Sequence, residues 1–436
     1  MFVPARHLLR IPDRRRGHNH RDEGPTRCPS PGTAHVRATP GAAVRAGRNS
    51  WARLAVHGGG KPVSAPPADD RPAGRALVLC LDGTRNEPET GTTNVARVFD
   101  LAVKDERQLV YYDPGVGTMG SRAAATRFGK ALTRFAGLVV GFGIKDKVED
   151  AYRFLVHHYR RGDRIYVFGF SRGAYTARAL VGMIRTVGLL RPGADNLVPY
   201  ALKLYTRGGN RKRTEEQERA FWDLCTRFEA RFGNPDFPPR LGRQVEFLGV
   251  WDTVKSVGWL NWRARYEQAH WPFTRKLPNV GRGRHALALD ERRRHYEDYR
   301  FDPAQVGRGG GRLREMWFPG VHSDVGGTPP DDHRLADIAL KWIVDEAVAV
   351  GLRVDGNAYR EHVSVLPGQD LPADHALGRI HPNKAAWALL GLGWHRRTAG
   401  DGDEVHPSVH DRVDATRDDP RPYRPPVPLG QAATSR

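Results

Sequence analysis

The chain predicts an α/β fold: a mostly parallel central sheet, helices on both faces, and a helical cap insertion at about residues 190–240. Three observations predict it. Short continuous apolar runs end in turn residues, segments with helical apolar spacing alternate with those runs, and at residues 169–173 one run passes directly into a helical segment through a glycine-flanked serine. An apolar run without alternation is the form of a strand covered on both faces, as parallel strands are.

The pattern begins at residues 76–81 (ALVLCL), a buried strand ending in Asp82-Gly83-Thr84. Thr93 to Val103 has helical spacing with Asn94 as a cap, and Gln108 to Tyr112 is a second strand. Ile144 to Arg160 places Val148, Ala151, Tyr152, Leu155 and Val156 on one helical face. It leads into a strand at 164–170 and a helix from Arg172 to about Val187. Glu215 to Phe232 is an amphipathic helix with Phe221, Trp222, Leu224, Cys225 and Phe228 on its apolar side. Further strands are expected at Val245 to Val250 and Glu315 to Phe318, and a further helix at His333 to Val350.

Outside this domain, taken as residues 75–415, the composition changes. Residues 1–74 mix Arg, Pro, Gly and His without apolar periodicity and cannot bury enough surface to offset the cost of ordering, so a disordered basic tail is expected. Residues 416–436, rich in Pro and Arg, are expected to form a second disordered tail.

Of the 436 residues 39% are hydrophobic; with glycine counted and tyrosine left out the figure is about 47%, which excludes a wholly disordered chain. The apolar stretch Ala385 to Trp394 is about half of the roughly 20 residues a membrane span needs. It suits core packing or contact with lipid at an interface. The formal charge of +20 allows peripheral contact with an anionic membrane; nucleic acid is not expected as a partner. Cys28, Cys80 and Cys225 are too few and too far apart for a disulfide framework, and the first residues lack the apolar core of a secretory signal. A cytoplasmic location, or export by a signal-independent route, is therefore expected. No phosphate loop GxxxxGK and no HExxH metal motif is present, so neither a cofactor nor a metal is expected.

Chemistry is concentrated at Gly169-Phe170-Ser171-Arg172-Gly173. A serine in a tight turn between strand and helix projects its hydroxyl, and flanking glycines let the two backbones approach. Its plainer role would be a helix N-cap. A nucleophilic serine needs a base and an acid later in the chain, at the ends of later strands. The strand reaching Asp252 supplies the acid and the strand reaching His322 the base, with Asp324 as reserve acid and His406 as reserve base. The plainer roles are a turn-forming Asp252 and a loop histidine. The backbone N–H of Arg172 and a second N–H from the loop holding Gly83 and Thr84 would face the oxyanion, with Asp82 and Asn86 bracing that loop.

Five ordered segments, LDGTRN at 81–86, YYDPGVGT at 111–118, GFSRGAYTAR at 169–178, GVWDTV at 249–254 and FPGVHSDVGG at 318–327, resemble the α/β hydrolase family of domain of unknown function 2235. That family includes the catalytic domain of type VI secretion phospholipase effectors. The resemblance runs from about Ala76 to Val350 and implies a Ser-Asp-His triad on Ser171, Asp252 and His322, with hydrolysis of small-molecule or lipid esters. Arg85 stands where the family has Trp, and Thr328-Pro329-Pro330 follows the paired glycines where a third glycine and an aromatic are usual. The rival reading is a catalytically silent protein of the same fold that binds nucleic acid or anionic membrane through its basic surface.

Overall fold

The computed structural model describes residues 62–63, 74–83, 92–115, 142–209, 213–240, 242–255, 271–307, 311–383 and 394–427. In chain order the elements are β1 (Pro62–Val63), β2 (Ala76–Leu81), α1 (Asn94–Leu101), β3 (Gln108–Asp113), α2 (Phe142–His158), β4 (Arg164–Phe170) and α3 (Arg172–Val187). Then come α4 (Val198–Arg207), α5 (Glu215–Phe232), β5 (Val245–Trp251), β6 (Val280–Ala288), β7 (Leu313–Phe318), α6 (His322–Gly326) and α7 (Arg334–Val348). The chain continues through β8 (Val354–Asp355), α8 (Gly356–Val363), β9 (Glu404–Val405) and α9 (Pro407–Ala415).

Seven strands form one parallel sheet in the order β3-β2-β4-β5-β6-β7-β9. The continuous apolar runs are explained by its two covered faces. Leu77, Leu79, Ile165, Val167, Leu248 and Val250 point to one face and pack with α2, α3, α4 and α5. Val78, Cys80, Tyr166, Phe168, Phe247 and Trp251 point to the other and pack with α1, α7 and α8. Each large apolar side chain so buried contributes about 1.5–3 kcal/mol. The chain leaves β2 for β3 on one side and returns to β4 on the other, a switch in winding direction that opens a crevice at the carboxyl ends of the strands.

Several boundaries differ from the sequence reading. Thr93, not Asn94, caps α1: its Oγ1 accepts the Ala96 N–H at 3.1 Å. Asn94 is buried and donates to the Val325 carbonyl at 2.9 Å. β6 was not anticipated, because Gly281, Arg282, Gly283 and Arg284 interrupt its apolar pattern. Arg282 and Arg284 instead reach Glu346 of α7 at 3.1 and 2.9 Å. The helical insertion comprises α4 and α5, which pack on the flank of α3.

Within the segments expected as tails, β1 pairs antiparallel with β8. The chain from 416 does not part from the domain: Tyr423 donates to Asp290 Oδ2 at 2.8 Å and packs with Val427 against Leu287, Leu289 and Trp317. An aromatic ring with a satisfied hydroxyl gives this Pro-rich stretch an anchor that its composition conceals. Most of residues 1–74, and residues 428–436, lie outside the described residues, as do Ala385–Gly393. Among the described residues no helix is long and apolar enough to cross a membrane.

Candidate active site

Ser171 joins β4 to α3 with φ 57° and ψ −119°, a conformation that costs a non-glycine residue of order 1–3 kcal/mol and persists only where the surroundings impose it. They do so by close approach. A Cβ on Gly169 would lie 2.7 Å from the Ala174 Cα, and one on Gly173 would lie 2.1 Å from the Leu81 carbonyl oxygen. The Ser171 N–H donates to the Trp251 carbonyl at 3.1 Å, so the turn is tied to the end of β5. Its side chain makes no capping hydrogen bond, which leaves the helix-cap role unfilled.

The hydroxyl instead meets His322. Ser171 Oγ lies 2.9 Å from His322 Nε2, and His322 Nδ1 lies 2.5 Å from Asp252 Oδ2. The partners set the tautomer: Nδ1–H donates to the carboxylate, and Nε2 accepts from the hydroxyl. Three strand ends, those of β4, β5 and β7, thus bring together residues 151 and 70 positions apart.

Asp252 ends β5 with φ 36°, another forced turn, and its N–H donates to the Ala286 carbonyl at 2.7 Å. Burial alone would raise its carboxyl; the Arg397 guanidinium and His322 outweigh that and hold it well below the usual carboxylate range. His322 opens α6 after Gly320, whose φ of +110° makes the sharp turn from β7. Phe170 lies against the ring at 4.6 Å between centroids, and Tyr296 meets it edge-on at 4.8 Å. Burial pushes the imidazole below its ordinary range, against the opposing pull of Asp252. A neutral ring with a bare Nε2 can take a proton from Ser171.

The reserve residues are engaged elsewhere. Asp324 Oδ2 accepts the Val321 N–H at 2.9 Å and Oδ1 pairs with His381 Nδ1 at 2.7 Å, so it bends the turn that carries His322 without touching the ring's Nδ1. His406 caps α9 through Ser408 and stacks on Phe318, and burial pushes it down to about 4.

Of the expected oxyanion loop, Asp82 accepts Thr93 Oγ1 at 2.5 Å, Tyr112 Oη at 2.9 Å and the Gly83 N–H at 2.6 Å. The Gly83 amide is thereby turned to the carboxylate beside it, which corrects its expected role as an oxyanion donor in this conformation. Thr84 and Asn86 lie outside the described residues. Arg172 stands at the first position of α3, where N–H groups face outward along the helix axis.

Sequence reasoning missed the residues behind Asp252 and His322. Arg397 reaches Asp252 with both terminal nitrogens, at 2.5 and 3.1 Å. Glu291 Oε2 accepts the His322 N–H at 3.2 Å, and its carboxylate also takes Arg293 Nε and Nη2 at 2.9 and 2.8 Å. Glu291 follows the strand that the sequence concealed, and one arginine among 69 basic residues carries no signal. No group of His, Cys, Asp and Glu suited to a metal ion occurs among the described residues.

Residues 75–346 match the family described as type VI secretion system phospholipase effector Tle1-like, catalytic domain. An uncharacterized protein of Saccharomyces cerevisiae is 32% identical over 254 residues, which are 57% of this chain and 36% of that protein. Among solved structures, an uncharacterized protein from Pseudomonas aeruginosa shares 19% identity over 67% of this chain and 49% of its own, with a TM-score of 0.38. The Tle1 effector bound to the VgrG spike of the type 6 secretion system shares 16% identity over 61% of this chain and 52% of its own, with a TM-score of 0.30. The chain matches about half or less of the length of each of these proteins. The family match spans well over half of this chain, and its fold is the expected parallel sheet flanked by helices. The chain belongs to the Tle1-like phospholipase effector catalytic domain family, the family of domain of unknown function 2235.

Proposed function

We propose that the protein is a serine hydrolase of carboxylic esters, acting on lipid or phospholipid acyl esters. The observation that carries this reading is the unbroken contact from Ser171 Oγ through His322 to Asp252, at 2.9 and 2.5 Å, with the serine held in a strained turn at the carboxyl edge of the sheet. Family membership supports the lipolytic class.

In the proposed mechanism Ser171 Oγ attacks the ester carbonyl carbon while its proton passes to His322 Nε2. Asp252 keeps the ring in the tautomer that can accept and stabilises the imidazolium that forms. The oxyanion is met by the Arg172 N–H, in the field of the α3 N-terminus. The imidazolium then gives its proton to the departing alcohol oxygen, leaving an acyl-serine; water, deprotonated by the same nitrogen, releases the acid and restores the hydroxyl. The charge of +20 favours approach to an anionic lipid surface.

The test is hydrolysis of a short-chain nitrophenyl ester and of phospholipid vesicles by wild type and Ser171→Ala. The variant should fold normally and lose activity by about 10,000-fold or more. Equal rates for the two proteins would overturn the reading, and binding without turnover by wild type would favour the silent alternative.

A further inference from the structure

We propose that Arg397 is a positioning residue for this reaction: its guanidinium clamps both oxygens of Asp252, aims the carboxylate at His322, and shields the imidazole from part of that carboxylate's negative charge. The proposal rests on the hydrolytic reading of the site. It also goes beyond the family match, because Arg397 lies outside residues 75–346, in the segment that returns to the sheet through β9.

The geometry is that of a closed fork. Arg397 is 2% exposed and Asp252 is fully buried. A carboxylate offers about four lone-pair directions, and all four are occupied here. Oδ1 accepts the Ala288 N–H at 3.0 Å and Arg397 Nη1 at 2.5 Å; Oδ2 accepts His322 Nδ1 at 2.5 Å and Arg397 Nη2 at 3.1 Å. With every direction used the carboxylate cannot rotate away from the ring. The guanidinium is fixed in turn: Nη1 also donates to the Ala288 carbonyl and Nε to the Tyr296 carbonyl, both at 3.0 Å. A planar fork with donors on several edges can do this; an ammonium group cannot.

The charges around His322 show what the clamp does. Asp252 faces Nδ1 from β5, and Arg397 stands behind it. From the segment after β6, Glu291 approaches the His322 backbone but is paired with Arg293, and the negative charge of Asp298 helps keep Arg397 protonated. Tyr296, Phe170 and Ser171 complete the surroundings, and on α6 itself Asp324 is paired with His381. The buried ring therefore sits among two nearly neutral ion pairs instead of beside one bare carboxylate. Burial makes the imidazole hold its proton weakly, Arg293 acts in the same direction, and Asp252 opposes both; the Arg397 clamp, by compensating the Asp252 charge, limits that opposition. Without Arg397 the Asp252–His322 pair would bind its proton more tightly, whichever member formally carries it.

The experiment is an NMR titration of the His322 ring in the full chain for wild type, Arg397→Gln and Arg397→Lys, alongside kcat and KM as functions of pH. In Arg397→Gln the ring should titrate about one pH unit higher and the acid limb of kcat/KM should move with it. The rate on the plateau should fall by roughly 10–100-fold through loss of alignment. Arg397→Lys, which restores charge without the fork, should keep the titration near that of wild type and still lose kcat. Identical titration in wild type and a folded Arg397→Gln would overturn the shielding role. Wild-type kcat in Arg397→Lys would overturn the clamp, and that comparison decides the matter if the glutamine variant does not fold. The titration needs no turnover, so its failure is distinct from retained activity in Ser171→Ala, which would instead sink the hydrolytic reading.

Discussion

Two buried histidine–carboxylate pairs sit at neighbouring strands of the same sheet, and only one ends on a hydroxyl. His322 pairs through Nδ1 with Asp252 at 2.5 Å, and His285 of β6 pairs through Nδ1 with Glu315 of β7 at 2.8 Å. Each carboxylate is held by an arginine, Asp252 by Arg397 and Glu315 by Arg300 at 2.8 Å. Burial lowers both imidazoles, and the partners of each carboxylate overcome burial to hold both acids low, Glu315 down to about 2. The difference lies at the other ring nitrogen. His322 Nε2 faces Ser171 Oγ, whereas His285 Nε2 accepts the backbone N–H of Thr253 at 3.2 Å. A hydroxyl can give up its proton to a base; a peptide N–H at ordinary pH cannot. Charge, burial and pairing therefore do not identify a reactive histidine on their own, and the group opposite the free nitrogen decides.

The comparison can be broken most severely at the serine, where Ser171→Ala leaves His322 paired but with nothing to deprotonate; the expected loss is the largest, as stated above. Next in size is Asp252→Asn, assayed as kcat on the same ester. It favours the wrong tautomer and leaves Arg397 facing a neutral amide, and a fall of about 1,000- to 10,000-fold is expected. A loss of less than 10-fold would place the acid elsewhere.

His285→Phe sharpens the contrast from the other side. It strips Glu315 of one partner in a fully buried setting, so thermal or denaturant unfolding should show destabilisation on the order of 2–4 kcal/mol, while kcat of the folded protein stays within a few-fold of wild type. Loss of activity with unchanged stability would reverse the assignment of the two pairs.

The smallest effects are those of pH. Because burial holds His322 below the ~6.5 of a free imidazole, hydrolysis should persist as the pH falls through that value and fade only at lower pH, which a kcat/KM profile would reveal. The same depression at both histidines means that the unfolded chain takes up protons first. Their contribution to stability is present above ~6.5 and is lost as the pH falls through their lower folded values.

These pairs also show what a sequence can disclose. Ser171 and Asp252 each follow an apolar run directly and His322 follows one after a three-residue turn, so chain geometry alone marks them as residues delivered to one edge of a parallel sheet. The helix at Glu215–Phe232 was legible from its apolar face, and in the structure the Thr214 cap and acidic first turn support it. β6 was hidden because its arginines serve Glu346 on a helix 62 and 64 positions away, a pairing with no local trace. Arg397 was hidden for the same reason at a separation of 145 residues from Asp252. His285 would have ranked as well as His322 on burial and charge, and what separates them is a distance that only folding creates.

The central claim is that Ser171 is a nucleophile activated by His322, and a serine-directed fluorophosphonate tests it most directly. The account predicts a single covalent adduct, located by mass spectrometry on Ser171, formed far more slowly in His322→Ala and at nearly the wild-type rate in His285→Phe. An adduct on another residue, or labelling of Ser171 indifferent to the loss of His322, would contradict it.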